Sequence, residues 1–337
     1  MLKVHLELRE NMDIISYKKK IFEIKTEKEF NNLALTLFQY QYFYNPIYKQ
    51  YIDLNNIQIG HIKTYHQIPC LPIELFRNKK IITKNKKSET IFISSGTTSN
   101  QKSKHYIGDL ELYKRTILNG FNMFFGNPSD YVFFCLIPDF NKNPHSSLSF
   151  MCSELIAISK HRDSGFFLEK KEELINNIKQ CQQKKIKFIL FGLSFEVLDF
   201  AKKSNLTLEG GVVIQTGGTK KKHKHIIREE LNEKLKSIFR VDTIYSEYGM
   251  AELLSQSYSK KDFFQPPPWK KILIRDKTNP MNIIGENKRG CINVIDLANI
   301  HSCGFIATND LGQINTSGFD IIGRAQNATQ KGCSLMT

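Results

Sequence analysis

Four short apolar runs alternate with amphipathic helical stretches between residues 130 and 246, and this alternation constrains the fold more than any other feature. The runs are DYVFFCLIP, IKFILFG, GVVIQTGG and VDTIYS, whose β-branched and aromatic residues are typical of buried strands. The stretches between them, such as SFEVLDFAKK, carry apolar residues at helical spacing. Such alternation predicts an α/β fold in which helices flank a largely parallel sheet.

Candidate binding motifs follow apolar strands at four places in the chain. These motifs are ISSGTT, LIPDF, QTGGT and YSEYGMAE. Ligands of open α/β sheets bind beyond the carboxyl ends of the strands. The position of the four motifs therefore predicts a ligand site at that edge.

The stretch Thr90–Lys104, TIFISSGTTSNQKSK, predicts a strand that leads into a phosphate-binding loop. A polyphosphate needs many donors close to it, and hydroxyl groups, backbone N–H groups and a glycine that admits the backbone supply them. The candidates are Ser94, Ser95, Gly96, Thr97, Thr98 and Ser99. The stretch is not a Walker A loop, which requires Gly-Lys-Ser/Thr after four residues. A Ser/Thr-rich turn without function is the alternative. A helix follows, with Asp109 as its predicted N-cap.

The pattern changes on both sides of the α/β region. Aromatic residues crowd the helical stretch FQYQYFYNPIYKQYI, and short alternating strands such as CINVID and GFIATND follow Pro266–Trp269. We predict a helical cap over residues 1–70, an α/β core over 71–270, a β-rich subdomain of the same core over 271–325, and a C-terminal tail over 326–337.

Composition excludes several classes of function. The net charge is +15, but only nine of the 48 basic residues are arginine, the residue that reads phosphates and bases in bidentate geometry. We therefore expect no nucleic-acid partner, and attraction of anionic substrates such as ATP instead. The sequence has no apolar run of membrane-spanning length and no signal peptide, which predicts a cytoplasmic protein. Seven scattered cysteines are expected to be reduced thiols.

Several segments resemble known families. SSGTT, followed by a turn that carries lysine, resembles the phosphate loop of the adenylate-forming superfamily. LPIELF at 71–76, YSEYGMAELLSQSYS at 245–259 and INVIDLANIHSCGFIATNDLG at 292–312 resemble the acyl-protein synthetases of bacterial bioluminescence, the long-chain fatty acid protein ligases. The resemblance runs from about Leu71 to Met336. It implies the N-terminal core of an adenylate-forming enzyme, without the mobile C-terminal lid of the acyl-CoA ligases.

The resemblance assigns roles within YSEYGMAE. Tyr248, followed by Gly249, corresponds to the tyrosine that packs on adenine, and Glu252 to the glutamate that contacts magnesium. Ala251 stands where the family usually has threonine, so one phosphate-binding hydroxyl is missing. We expect a helix to begin at Met250, in which case Glu252 could equally be an acidic residue favoured by the helix dipole.

The resemblance also implies further contacts with the nucleotide. Gly217 and Gly218 lie in the loop that helps to form the adenine and acyl pockets, Asp310 corresponds to the residue that binds the ribose hydroxyls, and Arg324 to an arginine at the start of the superfamily hinge. Each could instead be an ordinary turn or surface residue. His145, in a loop after the LIPDF motif, is a weak candidate for the acyl pocket.

Cys333 is the predicted acyl carrier, because members of the family carry their acylated cysteine in a Gly-Cys near the C-terminus. The implied reaction uses ATP and Mg²⁺ to convert a fatty acid to acyl-AMP, and Cys333 then takes the acyl group as a thioester. An acyl reductase or another acceptor protein would receive it. Two alternatives remain open: a CoA ligase resembling the phenylacetate type, and a catalytically degenerate adenylate-binding or basic interaction protein. The oligomeric state is not predicted.

Overall fold

The computed structural model describes residues 12–95, 101–217, 226–260 and 262–325. The chain divides into two compact units. Unit 1 consists of Met1–Thr116, Met250–Ser255 and Pro266–Thr337, and unit 2 of Ile117–Gly249 and Gln256–Gln265. The division proposed from the sequence, into cap, core, subdomain and tail, stays a prediction.

Helices and strands occur in the following order among the described residues. The helices are α1 Ile14–Lys20, α2 Glu27–Tyr44, α3 Pro46–Leu54, α4 Leu75–Asn78, α5 Leu110–Phe125, α6 Ser147–Ser159, α7 Lys171–Gln183, α8 Ser194–Ser204 and α9 Arg228–Phe239. The strands are β1 Leu71–Pro72, β2 Thr90–Ile93, β3 Lys104–Ile107, β4 Val132–Leu136, β5 Gly165–Phe166, β6 Phe188–Leu193, β7 Gly211–Thr216, β8 Ile244–Tyr248, β9 Ser257–Lys260, β10 Phe263–Gln265, β11 Lys270–Arg275, β12 Ile283–Ile284, β13 Gly290–Asp296, β14 Phe305–Asn315 and β15 Gly318–Arg324.

Unit 2 contains the parallel sheet that the alternating pattern predicts. Its strand order is β10-β9-β8-β7-β6-β4-β5. Strands β5, β4, β6, β7 and β8 are parallel neighbours, whereas β9 and β10 are antiparallel. The α/β fold class is thereby confirmed.

The core of unit 2 explains why β4 and β6 consist almost wholly of apolar residues. Every residue of β4 is buried, and in β6 only Leu193 at the end is partly exposed. Alternate side chains such as Phe134 and Leu190 pack in one cluster with apolar residues of α7, α8 and α9. On the opposite face of the sheet, the ring of Phe133 contacts Phe121 of α5, and the two ring centroids are 5.5 Å apart. A strand covered on both faces has no polar side, so its sequence is a continuous apolar run.

Unit 1 combines helices with an antiparallel sheet. Its strand order is β12-β11-β13-β14-β15, and the short β1 pairs in parallel with β14. The first helices begin at strong caps. Asp13 accepts hydrogen bonds from the backbone N–H groups of Ile15 and Ser16, and Thr26 forms a capping box with Glu29 at α2.

The position of β2 differs from the sequence prediction. Strand β2 pairs antiparallel with β3 in a separate two-stranded sheet, with Phe92 opposite His105. The prediction of one ligand site at the sheet edge for all four motifs implies instead that the strand before ISSGTT belongs to the main sheet. The prediction failed because the alternating segment KHYI, which forms β3, provides β2 with a local partner. The predicted N-cap beyond it is confirmed, because Leu112 N–H donates to the Asp109 carboxylate at 2.9 Å.

None of the helices that the structure describes is both long enough and apolar enough to cross a lipid bilayer.

Candidate active site

The start of the predicted phosphate loop lies in unit 1, at the end of β2. Ser94 continues the pairing with the β3 side of the hairpin, because its N–H donates to the carbonyl of Ser103 at 3.0 Å. Its hydroxyl accepts a hydrogen bond from the N–H of Ser103, also at 3.0 Å. Ser95 is exposed. The remaining predicted loop residues lie outside the described part of the chain; they are Gly96, Thr97, Thr98 and Ser99.

Glu252 is a buried carboxylate in the same unit, only 4% exposed. The Ser103 hydroxyl lies near enough to its side chain to affect its pKa. Burial raises the pKa of Glu252 above its ordinary value, and the negative charge of Asp310 adds to the increase. The Ser103 hydroxyl and the positive charge of Arg324 oppose this increase in the pKa. Ser103 therefore links the start of the loop to the carboxylate.

Asp310 and Arg324 face each other across two neighbouring strands. They are register partners in β14 and β15, and Arg324 Nε donates to Asp310 Oδ1 at 2.9 Å. The Asp310 side chain is 7% exposed, whereas that of Arg324 is 57% exposed. The arginine thus neutralises the buried carboxylate while its own side chain reaches solvent. Together with Glu252, these residues form a group with two acidic side chains and one basic side chain.

The segment Met250–Ser255 is not the helix that the sequence predicts. Only a turn forms, in which Leu253 N–H donates to the carbonyl of Met250 at 3.1 Å. The N–H groups of Leu254 and Ser255 donate instead to the carboxylate of Asp296, each at 2.9 Å. The prediction was wrong because tertiary partners take the hydrogen bonds that a helix would use. The helix-dipole explanation of Glu252 is excluded with it.

Two buried side chains hold the backbone around Glu252. His105 Nδ1 donates to the carbonyl of Ala251 at 2.7 Å, and Asn299 Nδ2 donates to the carbonyl of Glu252 at 2.9 Å. His105 Nε2 lies 3.1 Å from Asn299 Oδ1, so the two side chains also contact each other. Burial lowers the pKa of His105 to about 4.

Asp296 anchors the end of the segment. Its carboxylate accepts hydrogen bonds from the Ser255 hydroxyl at 2.7 Å and from the N–H of Ala298 at 3.2 Å. Burial raises the pKa of Asp296, and the charge of the fully buried Lys270 opposes that increase. Lys270 Nζ itself donates to the carbonyl of Ser255 at 2.9 Å. We call Ser103, His105, Asp296 and Asn299 the Glu252 clamp.

Unit 2 has a second buried polar group at the carboxyl ends of its strands. The Ser194 hydroxyl, at the start of α8, contacts the Gln215 side chain and lies 2.6 Å from the carbonyl of Gly217. Gln215 Nε2 donates to the Ser246 hydroxyl at 2.6 Å and lies 3.5 Å from Asn232 Oδ1. We call Ser194, Gln215, Asn232 and Ser246 the strand-end network.

Gly217 and Gly249, predicted from two different motifs, both follow strands of unit 2. Gly217 has a φ of +78°, in the region that favours glycine. A Cβ atom at Gly249 would collide with the carboxylate of Glu247, which accepts a hydrogen bond from Thr216. The motifs LIPDF, QTGGT and YSEYGMAE lie at the ends of β4, β7 and β8, although the last motif continues into unit 1 with Glu252, and ISSGTT lies at the end of β2 in unit 1.

Tyr248 is the last residue of β8 and is 9% exposed. Its ring lies 5.8 Å from that of Phe264, and the Arg228 guanidinium lies 4.6 Å from the centroid of Phe264. His145 is exposed in a turn before α6. Gly218 and Cys333 lie outside the described residues, so their predicted roles stay predictions.

The carboxylate of Glu252 offers oxygen atoms of the kind that bind magnesium. Mg²⁺ usually binds one or two carboxylates together with substrate phosphates and water. Glu252 and Asp310 lie close enough for the charge of one to raise the pKa of the other. Within the described ranges, no group of three or more His, Cys, Asp or Glu side chains could hold a metal. This donor set fits magnesium that is shared with the phosphates of ATP.

The sequence did not identify the Glu252 clamp, although weak signals were present. In β3, His105 and Ile107 share a buried face, so the pattern of KHYI places a histidine in the core. Asp296 ends the apolar strand β13 and Asn299 follows it within INVIDLANIHS, a position typical of functional side chains in such folds. Ser103 carries no sequence signal that distinguishes it from the neighbouring hydroxyls.

Residues 144–337, more than half of the chain, match the sequence profile of the family described as "Acyl-protein synthetase, LuxE". The matched part contains Tyr248, Glu252, Asp310, Arg324 and Cys333, and it does not include Ser94 or His105. A comparison with curated protein sequences found no match.

Solved structures of CoA ligases resemble the fold. A 2-hydroxyisobutyryl-CoA ligase in an open conformation with 2-HIB-AMP and CoA gives a TM-score of 0.66 at 12% identity, over 88% of this chain and 69% of the ligase. The same ligase in its thioesterification state gives a TM-score of 0.62 at 13% identity, over 94% and 70%. ATP-bound MatB from Rhodopseudomonas palustris gives 0.51 at 15% identity, over 69% of this chain and 47% of MatB. At these identities the likeness concerns the fold alone.

Proposed function

This chain belongs to the LuxE family of acyl-protein synthetases, and from that premise we propose that it activates a long-chain fatty acid with ATP and transfers the acyl group to a protein cysteine. The family and the fold together indicate an adenylate-forming ligase. The length of the acid, the cysteine acceptor and the protein that finally receives the acyl group are the finer parts of the proposal.

The first step forms the acyl adenylate. A carboxylate oxygen of the fatty acid attacks the α-phosphorus of ATP, the bond from that phosphorus to the bridging oxygen breaks, and pyrophosphate leaves with the electron pair. The product is a mixed anhydride of the acid and AMP. Negative charge develops on the departing pyrophosphate, so this step gains most from fixed positive charge and hydrogen-bond donors.

The unit 1 residues can supply those interactions. Glu252 is the carboxylate that would hold magnesium, which when bound neutralises phosphate charge, and Asp310 would bind the ribose hydroxyls. Arg324 has an exposed side chain that can reach the phosphates or the ribose. We place Ser94, Ser95 and the loop residues after them at the phosphates. Tyr248, Gly249 and Gly217 in unit 2 remain nucleotide-binding residues on the resemblance alone.

The second step transfers the acyl group to Cys333. The thiolate attacks the carbonyl carbon of the adenylate, the bond between that carbon and the phosphate oxygen breaks, and AMP leaves. The thiol proton passes to solvent, and the product is a thioester. A thioester keeps the acyl group activated, so an acyl reductase could reduce it to an aldehyde.

One observation carries the proposal. Motif residues from three separate parts of the sequence converge in unit 1, because Ser94 pairs with Ser103, and Ser103, Asp310 and Arg324 lie near enough to the Glu252 carboxylate to affect its pKa. Nothing in the spacing of these residues requires them to meet. A phosphate loop, a buried carboxylate and a solvent-exposed arginine are the parts that phosphoryl chemistry needs.

Fatty acid-dependent exchange between ATP and labelled pyrophosphate tests the adenylation step. We expect exchange with long-chain acids in the presence of Mg²⁺, and a decrease of about a hundredfold in Glu252→Gln, the size seen when one electrostatic group is lost from an active site. Glu286→Gln makes the same change at an exposed turn and serves as the control. Absence of exchange with every acid would contradict adenylation and favour a degenerate binding protein.

Labelling with radioactive fatty acid tests the transfer step. We expect ATP-dependent label on the protein that neutral hydroxylamine removes, since a thioester is sensitive to it. Cys333→Ala should abolish the label and leave pyrophosphate exchange unchanged. Label that persists in Cys333→Ala would contradict this assignment of the carrier. Turnover that requires CoA and survives the substitution would instead support a CoA ligase.

A further inference from the structure

The backbone on both sides of the Glu252 Cα atom is held by side chains from distant parts of unit 1. His105 Nδ1 donates to the carbonyl of Ala251, in the peptide before Glu252, and Asn299 Nδ2 donates to the carbonyl of Glu252, in the peptide after it. Because peptide groups are planar, the orientation of these two peptides sets φ and ψ of Glu252. The direction of its Cα–Cβ bond follows from them.

We propose that His105 and Asn299 are positioning residues for Glu252, which fix its carboxylate in the orientation that receives magnesium and the phosphates of ATP. This inference rests on the proposed function. Neither side chain needs to touch the nucleotide. Each acts through the backbone of the residue that does.

The two positioning residues are themselves immobilised. His105 is 1% exposed in β3, and its ring meets the edge of Phe76 with centroids 5.9 Å apart. Asn299 is 1% exposed, and its own carbonyl accepts a hydrogen bond from Gln41 of α2 at 2.8 Å. His105 Nε2 and Asn299 Oδ1 lie 3.1 Å apart, between the β2–β3 hairpin and the turn after β13.

The same segment has no helical hydrogen bonds to hold it in place. Leu254 and Ser255 donate to Asp296, and the Thr116 hydroxyl donates to the carbonyl of Leu254 at 2.8 Å. The geometry at Glu252 therefore depends on side chains that approach from outside. A residue that positions a metal-binding carboxylate typically contributes ten- to a hundredfold to metal affinity.

Calorimetric titration with ATP, in Mg²⁺ and in EDTA, separates positioning from general stability. In His105→Phe and Asn299→Ala we expect ATP affinity in Mg²⁺ to fall about tenfold or more. Affinity in EDTA should stay unchanged, because the Glu252 carboxylate then has no metal to hold. His105→Asn should restore the affinity in Mg²⁺, since its amide N–H can occupy the position of Nδ1–H. His61→Phe, at an exposed position, is the matched control.

Equal loss of ATP affinity with and without Mg²⁺, or no loss in either folded variant, would overturn the inference while the proposed function stands. Failure of the unsubstituted protein to bind ATP in Mg²⁺ would contradict the proposed function and this inference together. Circular dichroism and thermal unfolding establish that each variant is folded. If His105→Phe does not fold, Asn299→Ala and His105→Asn give the decision: weakened Mg²⁺-dependent binding in Asn299→Ala, with normal binding in His105→Asn, supports positioning, and any other combination contradicts it.

Discussion

The Glu252 clamp and the strand-end network are both buried polar groups, but they are built in different ways. The strand-end network lies on neighbouring strands and the helices between them, and its side chains are uncharged. The clamp combines Ser103, His105, Asp296 and Asn299, with the buried charge of Lys270 beside Asp296. Packing of neighbouring strands and helices brings the strand-end network together. The Glu252 clamp instead depends on the complete fold of unit 1.

This difference determines how much a substitution in each group should destabilise the protein. Removing one neutral member of a hydrogen-bonded network leaves its partners unsatisfied, at a moderate cost. Removing one charge from a buried ion pair leaves the other charge uncompensated, which costs more. We therefore expect changes near the clamp to be larger than equivalent changes in the strand-end network.

Asp296→Asn should have the largest effect. The substitution removes the negative charge that offsets the buried positive charge of Lys270, and leaving a buried charge uncompensated typically costs about 3–5 kcal/mol. Urea denaturation should report a decrease in the free energy of unfolding of that size. A decrease below about 1 kcal/mol would show that the clamp is no more demanding than a neutral network.

The pH dependence of stability should come from two buried histidines, His105 of the clamp, whose pKa burial lowers to about 4, and His301, beside the clamp in sequence. Burial, followed by the charges of Lys86 and Lys18, lowers the pKa of His301 to about 4, and the charge of Asp109 opposes this decrease. Between pH 6.5 and 4 the unfolded chain therefore binds more protons than the folded one. The contribution of His301 to the free energy of unfolding should fall by up to about 3 kcal/mol through this window as the pH decreases.

The substitution His301→Gln tests this assignment, because it removes one of the two titrating groups. The variant should lose less stability between pH 6.5 and 4 than the unsubstituted protein. His61→Gln, at an exposed position, should leave the pH profile unchanged. If His301→Gln keeps the original profile, the pH dependence comes from other groups.

Gln215→Leu should have a moderate effect in the strand-end network. The substitution removes the partner of Ser194 and Ser246, and an unsatisfied buried polar group costs about 1–3 kcal/mol. Thermal and urea denaturation can measure the change, with Gln183→Leu at an exposed position of α7 as the control. A cost as large as that of Asp296→Asn would remove the contrast between the two groups.

Arg324→Met should have the smallest effect on stability. The Arg324 side chain is 57% exposed, and ion pairs with such exposure contribute less than about 1 kcal/mol. If Arg324 instead binds the nucleotide, the substitution should reduce pyrophosphate exchange far more than it reduces the free energy of unfolding. Parallel loss of both quantities would assign Arg324 a structural role.

How well each region could be predicted depends on how far apart in the sequence its contacting residues lie. Strands β4, β6, β7 and β8 could be predicted because burial on both faces leaves apolar runs in the sequence. The pairing of β2 with β3 could not, since Lys104–Ile107 is short and only half buried. The helix expected at Met250 failed because Asp296, more than 40 residues away, takes the backbone donors of Leu254 and Ser255.

The candidate site shows the same limit. Glu252, Asp310 and Arg324 could be proposed from motifs, because each motif lies within a few residues. Their supports could not, since His105 and Asn299 lie 194 positions apart and each looks like an ordinary polar residue in its own segment. Sequence motifs thus identify residues that contact a ligand more readily than they identify the residues that position those contacts.

The central claim is adenylation followed by acyl transfer to a thiol. Transfer of oxygen from the fatty acid to AMP is its most direct test. The protein would be incubated with Mg²⁺, ATP and a long-chain acid labelled with ¹⁸O in its carboxylate, and the AMP analysed by mass spectrometry. The carboxylate oxygen that attacks phosphorus stays with AMP when the thiol attacks carbon, so we predict AMP that carries one ¹⁸O atom. Unlabelled AMP, or ADP as the nucleotide product, would contradict the mechanism.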